Sequence, residues 1–569
     1  MQATEKMRVE PGTFAKLLER VRKTVLALLD RYRITPAERI FMRSLPRAAP
    51  RPPGDAPIVL VETVEDHYYS ALFANIVLGI AARRPIEVQQ FVSRSLRPGC
   101  TRSLYRIVRS LCYYNRLTDR KWIRFYGAFC SRVAYRSASR VFSFSTLIDL
   151  INAWKIWRSL GSKESLIELT VSGTKLGDLI YDTYLRFRPS ATVNLDSTYL
   201  WVVIWQALRD LRAATVYMSS VKPQMFITSY SCYVQHGIAV RVALAAGVKV
   251  VTLGNYQKFY KQLQSADSVH TQNPDDYRSG FSRLANSGAK IEEAAAALAA
   301  RMAGKFDPAT AYMHRSAYAE KAELPRGISG SAVLFLHDFF DSPHCYQWMI
   351  FPDFWEWATF TLNLARREGI KVFVKPHPNQ IAGSRAVVRM LMRDYPEAAW
   401  LSSGTSNVQI AEAGAACAIT VHGTVAHEMA YLGVPSISAG HSPHVSFTFS
   451  HTARSREEYS RLICNYRDLP HVHEALRRES LEFYCMHNLR IDADEMRLRD
   501  LILDYFALVV KHDGFLPDGG GFLSFSQRLN AEPAFRRACA EMAALLHDEL
   551  AVDLSLNEGA LNRERAASG

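Results

Sequence analysis

The chain has 569 residues, 48% hydrophobic and 22% charged, with a net charge of +14. That length exceeds one ordinary domain and points to three or four, and the composition excludes a disordered polymer. The positive charge favours acidic partners: nucleotides, nucleic acid, phosphorylated sugars or an anionic membrane surface.

Residues 1 to about 40 read as a basic helix with Leu17, Val21, Val25, Leu28 and Leu29 on one face. The proline-rich run Pro46 to Pro57 reads as a linker, because proline cannot continue a helix. Residues 1–55 are thus expected to form a helical extension and its linker. IVLVETV, from Ile58, has the apolar character of a buried parallel strand. A helix from Ala71 to Ala82 and a strand from Ile86 to Val92 complete a β-α-β start, and Met225 to Ser229, a helix ending at Gly247 and VKVVTLG repeat that grammar. These elements predict a first Rossmann-like domain over 56–325, with a basic helical insertion. A second begins at Ala332, where AVLFL, a helix from Phe354 to Arg367, KVFVK, AWLSS, CAITV, the helix VAHEMAYLG and PSISAG alternate regularly over 330–460. Residues 461–569 read as a helical C-terminal region. The expected fold class is α/β, two doubly wound domains facing a cleft.

No apolar run reaches the ~18 residues of a membrane span, and Met1 to Arg20 is charged throughout, without the apolar core of a signal peptide. The nine cysteines are scattered without a C-x-x-C pair, which fits free thiols in a reducing compartment. These features favour the cytoplasm. From Arg94 to Arg140 eleven arginines and one lysine face a single acid, Asp119, and Leu104, Ile107, Val108 and Leu111 lie among Arg102, Arg106 and Arg109. Such a helix suits an anionic membrane surface, with a solvated basic face as the plainer reading. No recognised module supports nucleic acid. Gly519 to Gly521 reads as a flexible loop.

In parallel sheets, ligands bind beyond the carboxyl ends of the strands. After KVFVK come Lys375, Pro376, His377, Pro378 and Asn379, a stiff turn whose lysine and histidine can contact a phosphate. After CAITV come Gly423 and Thr424, a helix opening suited to an anion, with His427 and with Glu428 one turn deeper, where it could accept from ribose hydroxyls. After AVLFL come His337, Asp338, Asp341 and His344. Two of these residue types ligate zinc, but the spacing suggests no fourth ligand. A loop facing donor and acceptor fits better, and no metal or cofactor is expected. In the first unit, Glu65, Asp66 and His67 follow the first strand, where a carboxylate, Asp66 in the first instance, could take a proton from an acceptor hydroxyl. A polar loop capping the next helix is the rival reading. Tyr233, His236 and Arg241 flank a later strand-to-helix turn and could bind sugar or phosphate. Asp178, Asp182 and Arg186 share a helix face, as acceptor ligands or as an intrahelical ion pair. Asp66, His377 and Asp341 are the candidate reacting groups.

KPHPN and HGTVAHEMAYLGVPSISAG together resemble the capsule polysaccharide biosynthesis group of GT-B glycosyltransferases, which includes bacterial capsule Kdo transferases. The likeness is good over about 330–450 and weaker over 56–260, through SCYVQHGIAVRVAL. It implies a metal-independent transferase with a nucleotide sugar on the second domain, CMP-Kdo-like in the first instance. His377 and Pro378 would lie at the nucleotide phosphate, and Gly423, Thr424 and Glu428 at the helix start. The implied acceptor is a glycan or glycolipid, with capsule assembly proteins as partners at the inner face of the membrane. Glycerol-phosphate transferases and UDP-GlcNAc 2-epimerases carry similar motifs, and a non-catalytic scaffold is the remaining alternative. In bacterial sialyltransferases an acidic-acidic-glycine motif supplies the base; here His67 follows Glu65 and Asp66 in place of the glycine.

Overall fold

The computed structural model describes residues 33–45, 56–92, 115–136, 144–187, 190–254, 259–270, 277–305, 318, 323–378, 380, 382–489, 493–511 and 520–546. The helix expected before residue 33, the 46–55 linker, most of the basic tract between 93 and 143, Asn379 and Gly519 lie outside the described residues.

Apolar runs too short for helices become strands. In the first sheet these are β1 (Ile58–Glu62), β2 (Glu87–Val92), β3 (Arg132–Arg136), β6 (Met225–Thr228), β7 (Lys249–Leu253) and β8 (Tyr260–Leu263), with β4 (Thr170–Val171) and β5 (Thr174–Lys175) forming a separate hairpin. The order is β3-β2-β1-β6-β7-β8, all parallel except β8. The second sheet comprises β9 (Ala332–Phe335), β10 (Val372–Lys375), β11 (Ala399–Trp400), β12 (Cys417–Thr420), β13 (Ser436–Ser438) and β14 (Ser450–Thr452), in the order β11-β10-β9-β12-β13-β14, all parallel. Counted within each sheet the order is 3-2-1-4-5-6, the doubly wound Rossmann arrangement. Two such domains face one another across a crevice, which is the GT-B architecture. Apolar periodicity marks the central strands but not β3, β8 or β14, where polar side chains interrupt the pattern.

Alternation sorts side chains to the two faces of each sheet. Val59, Val61, Met225 and Ile227 enter one core of the first domain, while Leu60 and Phe226 enter the other. Leu334, Val374 and Ile419 lie on one face of the second sheet, and Val333, Phe373 and Ala418 on its opposite face.

Three packing arrangements depart from the sequence boundaries. The described part of the N-terminal extension, helix Pro36–Ser44, belongs to the first domain: Phe41 stacks on Phe125 at 4.9 Å and meets Phe522 edge-on at 3.8 Å. The helices Tyr277–Ser282 and Ser287–Met302, expected in the first domain, pack with His473–Tyr484 and Tyr431 of the second. The C-terminal helices return to the first domain, where Leu498, Leu501, Ile502 and Tyr505, at amphipathic spacing, cover the helix His67–Ala81. Gly520 opens the helix Gly520–Ala531, so the glycine run is a helix start at its end rather than a loop throughout.

The domains are joined by polar contacts. Asp353 caps the helix Phe354–Arg367 through the Glu356 amide at 2.8 Å, and its other oxygen accepts from Tyr181 at 2.5 Å and Thr192 at 2.6 Å. Arg456 pairs with Glu164 at 2.8 Å. Among the described residues no helix is long and apolar enough to cross a membrane.

The returning C-terminal helix approaches the helix His67–Ala81 at Gly79, where a Cβ would meet Cys539 Sγ at 2.4 Å. Gly79→Val is expected to cost about 1–3 kcal/mol through overpacking, read as a lowered denaturant midpoint. An unchanged midpoint would contradict this seam.

Candidate functional site

Each sheet reverses its winding between its two central strands, and that is where a parallel sheet opens a ligand crevice. In the first domain the reversal lies between β1 and β6. Glu62, the last residue of β1, is only 2% exposed. One carboxylate oxygen accepts from Thr228 Oγ1 at 2.7 Å, Ser229 Oγ at 3.0 Å and Ser229 N at 3.2 Å, all at the tip of β6. The other bonds His236 Nδ1. Burial alone would raise the Glu62 carboxyl, but His236 and these donors outweigh it and hold it below its ordinary value. The Gln235 amide donates to His236 Nε2 at 2.6 Å, so Nδ1 carries the proton toward Glu62 and Nε2 is the basic nitrogen. His236 lies on a π-helical turn, Tyr233–Gly237, entered by Tyr233 at φ +62°. A side chain at Gly237 would strike Ser231 O at 2.5 Å and Leu179 at 2.4 Å, so glycine is required there. Half-exposed Tyr230 lies 5.8 Å from the His236 ring.

In the second domain the strand tips of β10, β9 and β12 lie side by side. His337, after β9, accepts from Val421 N at 3.3 Å and stacks on Phe354 at 4.6 Å, with the His422 ring 4.8 Å away. Burial lowers the His337 pKa well below its usual value and that of His422 to about 3, so both are neutral. His377, at the β10 tip, is half-buried; burial lowers its pKa, partly opposed by Asp338. Pro378 follows in the turn. Thus the loops carrying His337, His377 and Gly423 converge, as their strand positions require.

Beneath them is a buried polar network. Lys375 Nζ donates to Asn407 Oδ1 at 2.6 Å, and Asn407 Nδ2 donates to Glu428 Oε2 at 2.6 Å. Tyr318 donates to that same oxygen at 2.5 Å, and Arg301 binds the other. Burial lowers the Lys375 pKa to about 8, while Arg301 and its companions hold Glu428 below its ordinary value against burial.

Several expectations are corrected. Glu428 is 3% exposed and its oxygens are occupied by protein, so it supports the loop rather than facing a ribose. Lys375 is likewise 3% exposed and points into that network. Thr424 makes no side-chain cap and accepts from Arg301 at 3.3 Å. His427, 1% exposed, turns away from the crevice to His444 at 3.1 Å and stacks near Phe483. Asp66 is a helix cap, accepting from the amides of Tyr68 at 2.7 Å and Tyr69 at 3.3 Å. His67 holds Glu38 at 2.7 Å, and Glu65 sits on the connecting loop. Arg241 forms a two-pronged pair with Asp178. Asp182 bonds His344 of the other domain at 2.6 Å, and Arg186 reaches Phe340 O at 3.4 Å, so no intrahelical ion pair forms among Asp178, Asp182 and Arg186. Burial opposes protonation of His344, but Asp182 overrides it and raises the histidine.

Asp341 is exposed on the loop after β9, where partial loss of hydration raises its carboxyl and the Arg186 charge opposes that rise. Cys232 and Tyr233, at the start of the His236 turn, lie within its electrostatic reach. A pocket of about 370 Å³ between the domains is lined by Asp178, Arg241, Val269, His344, Tyr346 and Trp348 among others. Among the described residues, no three His, Cys, Asp or Glu side chains are grouped to hold a metal ion. No sequence motif marks Glu62, Asn407, Arg301 or Tyr318. Glu62 is hidden at the end of an apolar run, and the others are distant in sequence from the loops they hold.

No protein-family model and no curated protein matches the sequence. Solved structures similar to it include KpsC of Thermosulfurimonas dismutans, a beta Kdo 2,4 transferase, at 11% identity over 46% of this chain and 79% of that one, with a TM-score of 0.28. The glycotransferase of kitacinnamycin is similar at 11% identity over 79% and 98%, TM-score 0.23. The UDP-GlcNAc 2-epimerase of Methanocaldococcus jannaschii is similar at 8% over 72% and 92%, TM-score 0.24. At these scores the strand order, not the likenesses, establishes the fold.

Glu428→Gln removes the carboxylate beside the buried Arg301 and should destabilise the protein by about 3–5 kcal/mol, measured by urea denaturation; a loss near zero would contradict the network. Burial lowers the pKa of His270, His337, His377, His422, His427, His444 and His451. The unfolded chain therefore takes up protons below about pH 6.5 that the native state refuses. His344 acts oppositely. Stability is expected to be greater at pH 7.5 than at pH 5.5, and a flat or inverted urea midpoint would overturn that balance.

Proposed function

We propose that the chain is a glycosyltransferase that moves a sugar from a nucleotide-activated donor, CMP-Kdo-like, to a glycan or glycolipid acceptor of a surface polysaccharide such as a capsule. The observation that carries this is the buried Glu62–His236 pair at the winding reversal of the first sheet, on a segment that meets the Asp341 loop of the second domain.

In this reading the nucleotide lies over the tips of β9, β10 and β12. His377 donates to a phosphate oxygen, and Pro378 keeps that turn stiff, so little freedom is lost on binding. Lys375 sits below, its ammonium held by Asn407 in the buried network that supports the loops. The acceptor hydroxyl displaces the Gln235 amide from His236 Nε2 and gives that nitrogen its proton as its oxygen attacks the sugar's anomeric carbon and the bond to the nucleotide phosphate breaks. Glu62 keeps the ring in the required tautomer and stabilises the imidazolium that forms. This assignment replaces Asp66, whose carboxylate is committed to a helix cap. Asp341 and Arg186 lie where acceptor hydroxyls would enter. A basic, cytoplasmic, peripherally bound enzyme suits a membrane-borne acceptor and capsule assembly partners.

The reading is tested with purified protein, CMP- and UDP-sugars and equilibrium nucleotide binding. His377→Ala should weaken nucleotide binding strongly, whereas His236→Ala should lower kcat by about 10²–10⁴-fold with nucleotide affinity unchanged. Product formed from the donor without an acceptor would indicate an epimerase and contradict transfer.

A further inference from the structure

The helix Phe144–Ser159 carries an apolar stripe on the wrong side. Thr146, Asp149 and Ala153 are buried beneath it, against the long helix Thr198–Val221. On the opposite face Phe144 is 80% exposed, Leu147 52%, Ile148 42%, Ile151 47% and Trp154 49%. Their spacing, i, i+3, i+4, i+7 and i+10, aligns them along one side of the helix. A soluble surface tolerates scattered apolar residues, but a continuous row of five large ones marks an interaction site.

Charge identifies the occupant. At the C-terminal end of the same stripe stand Lys155 and Arg158, both exposed. The helix has one acid, Asp149, and Arg212 neutralises it on the buried side at 2.6 Å. Immediately before this helix the sequence runs from Arg94 to Arg140 with twelve basic residues and one acidic. An apolar row containing Phe, Leu, Ile and Trp, on a helix whose exposed charges are Lys155 and Arg158, suits the boundary between acyl chains and anionic headgroups.

We infer that this helix docks the protein on an anionic lipid bilayer, seating Phe144, Leu147, Ile148, Ile151 and Trp154 in the interfacial region with Lys155 and Arg158 at the phosphates. The inference deepens the membrane-borne acceptor of the proposed function by naming the docking element. Vesicle binding needs no sugar donor, so its failure leaves the transfer reading standing.

The experiment is co-sedimentation of the full chain with phosphatidylethanolamine vesicles containing or lacking phosphatidylglycerol. Wild type is expected to sediment with the anionic vesicles and to release as salt rises. Phe144→Ser combined with Ile151→Ser should reduce binding at least tenfold with the thermal midpoint unchanged. Lys155→Glu with Arg158→Glu, which leaves the apolar row intact, should weaken binding to the anionic vesicles alone. Wild type that ignores anionic vesicles would overturn the inference, as would both variants binding like wild type. So would a wild-type dimer that the serine variant turns into a monomer without any vesicle binding, because a second copy would then cover the stripe.

Discussion

Burying a carboxylate at the tip of a parallel strand costs several kcal/mol unless its lone pairs are answered by donors. Glu62 meets that condition with two hydroxyls, a backbone amide and an imidazole drawn from the next strand and the turn beyond it. The consequence reaches past stability. The histidine's proton is fixed on the nitrogen facing the acid, which leaves the opposite nitrogen as the acceptor, here of the Gln235 amide. The π-helical turn and the crowded Gly237 are the backbone conditions that set His236 within reach of Glu62.

The second domain solves a related problem differently. Its three converging strand-tip loops rest on a chain of buried bonds running from Lys375 through Asn407 to Glu428, Arg301 and Tyr318. Arg301 arrives on a helix that precedes the domain's first strand, so the segment between the two sheets is part of the support for the loops. The C-terminal helices cross the other way and shield the first domain's helix His67–Ala81. Each half of the molecule is therefore completed by a segment that is remote in sequence. The crevice between them is bounded by direct bonds, Asp182 to His344 and Tyr181 to Asp353.

Periodicity made the central strands and the converging loops legible, because β1, β6, β9, β10 and β12 are apolar runs that give way to polar residues where a doubly wound sheet opens. It could not reveal side-chain direction. Lys375, His427 and Glu428 follow strand ends as ligand-binding residues would, yet tertiary packing turns all three inward. Asp66 looked like a base and is a cap because the amides of Tyr68 and Tyr69 lie closest to it. Glu62 was overlooked for the opposite reason: a single acid in an apolar run reads as the end of a strand until the partner 174 residues away is known. The amphipathic stripe of Phe144–Ser159 was legible only with the burial of each face, since a helix buried on both sides would present the same letters.

One nucleotide-sized ligand is expected to sit over the tips of β9, β10 and β12, opposite His236. A crystal structure with cytidine or uridine monophosphate bound tests it most directly. The phosphate should lie within hydrogen-bond distance of His377, beside His337 and Gly423, with the open side of the ligand toward the Glu62–His236 pair. A nucleotide seated on the first sheet, or outside the crevice altogether, would contradict it.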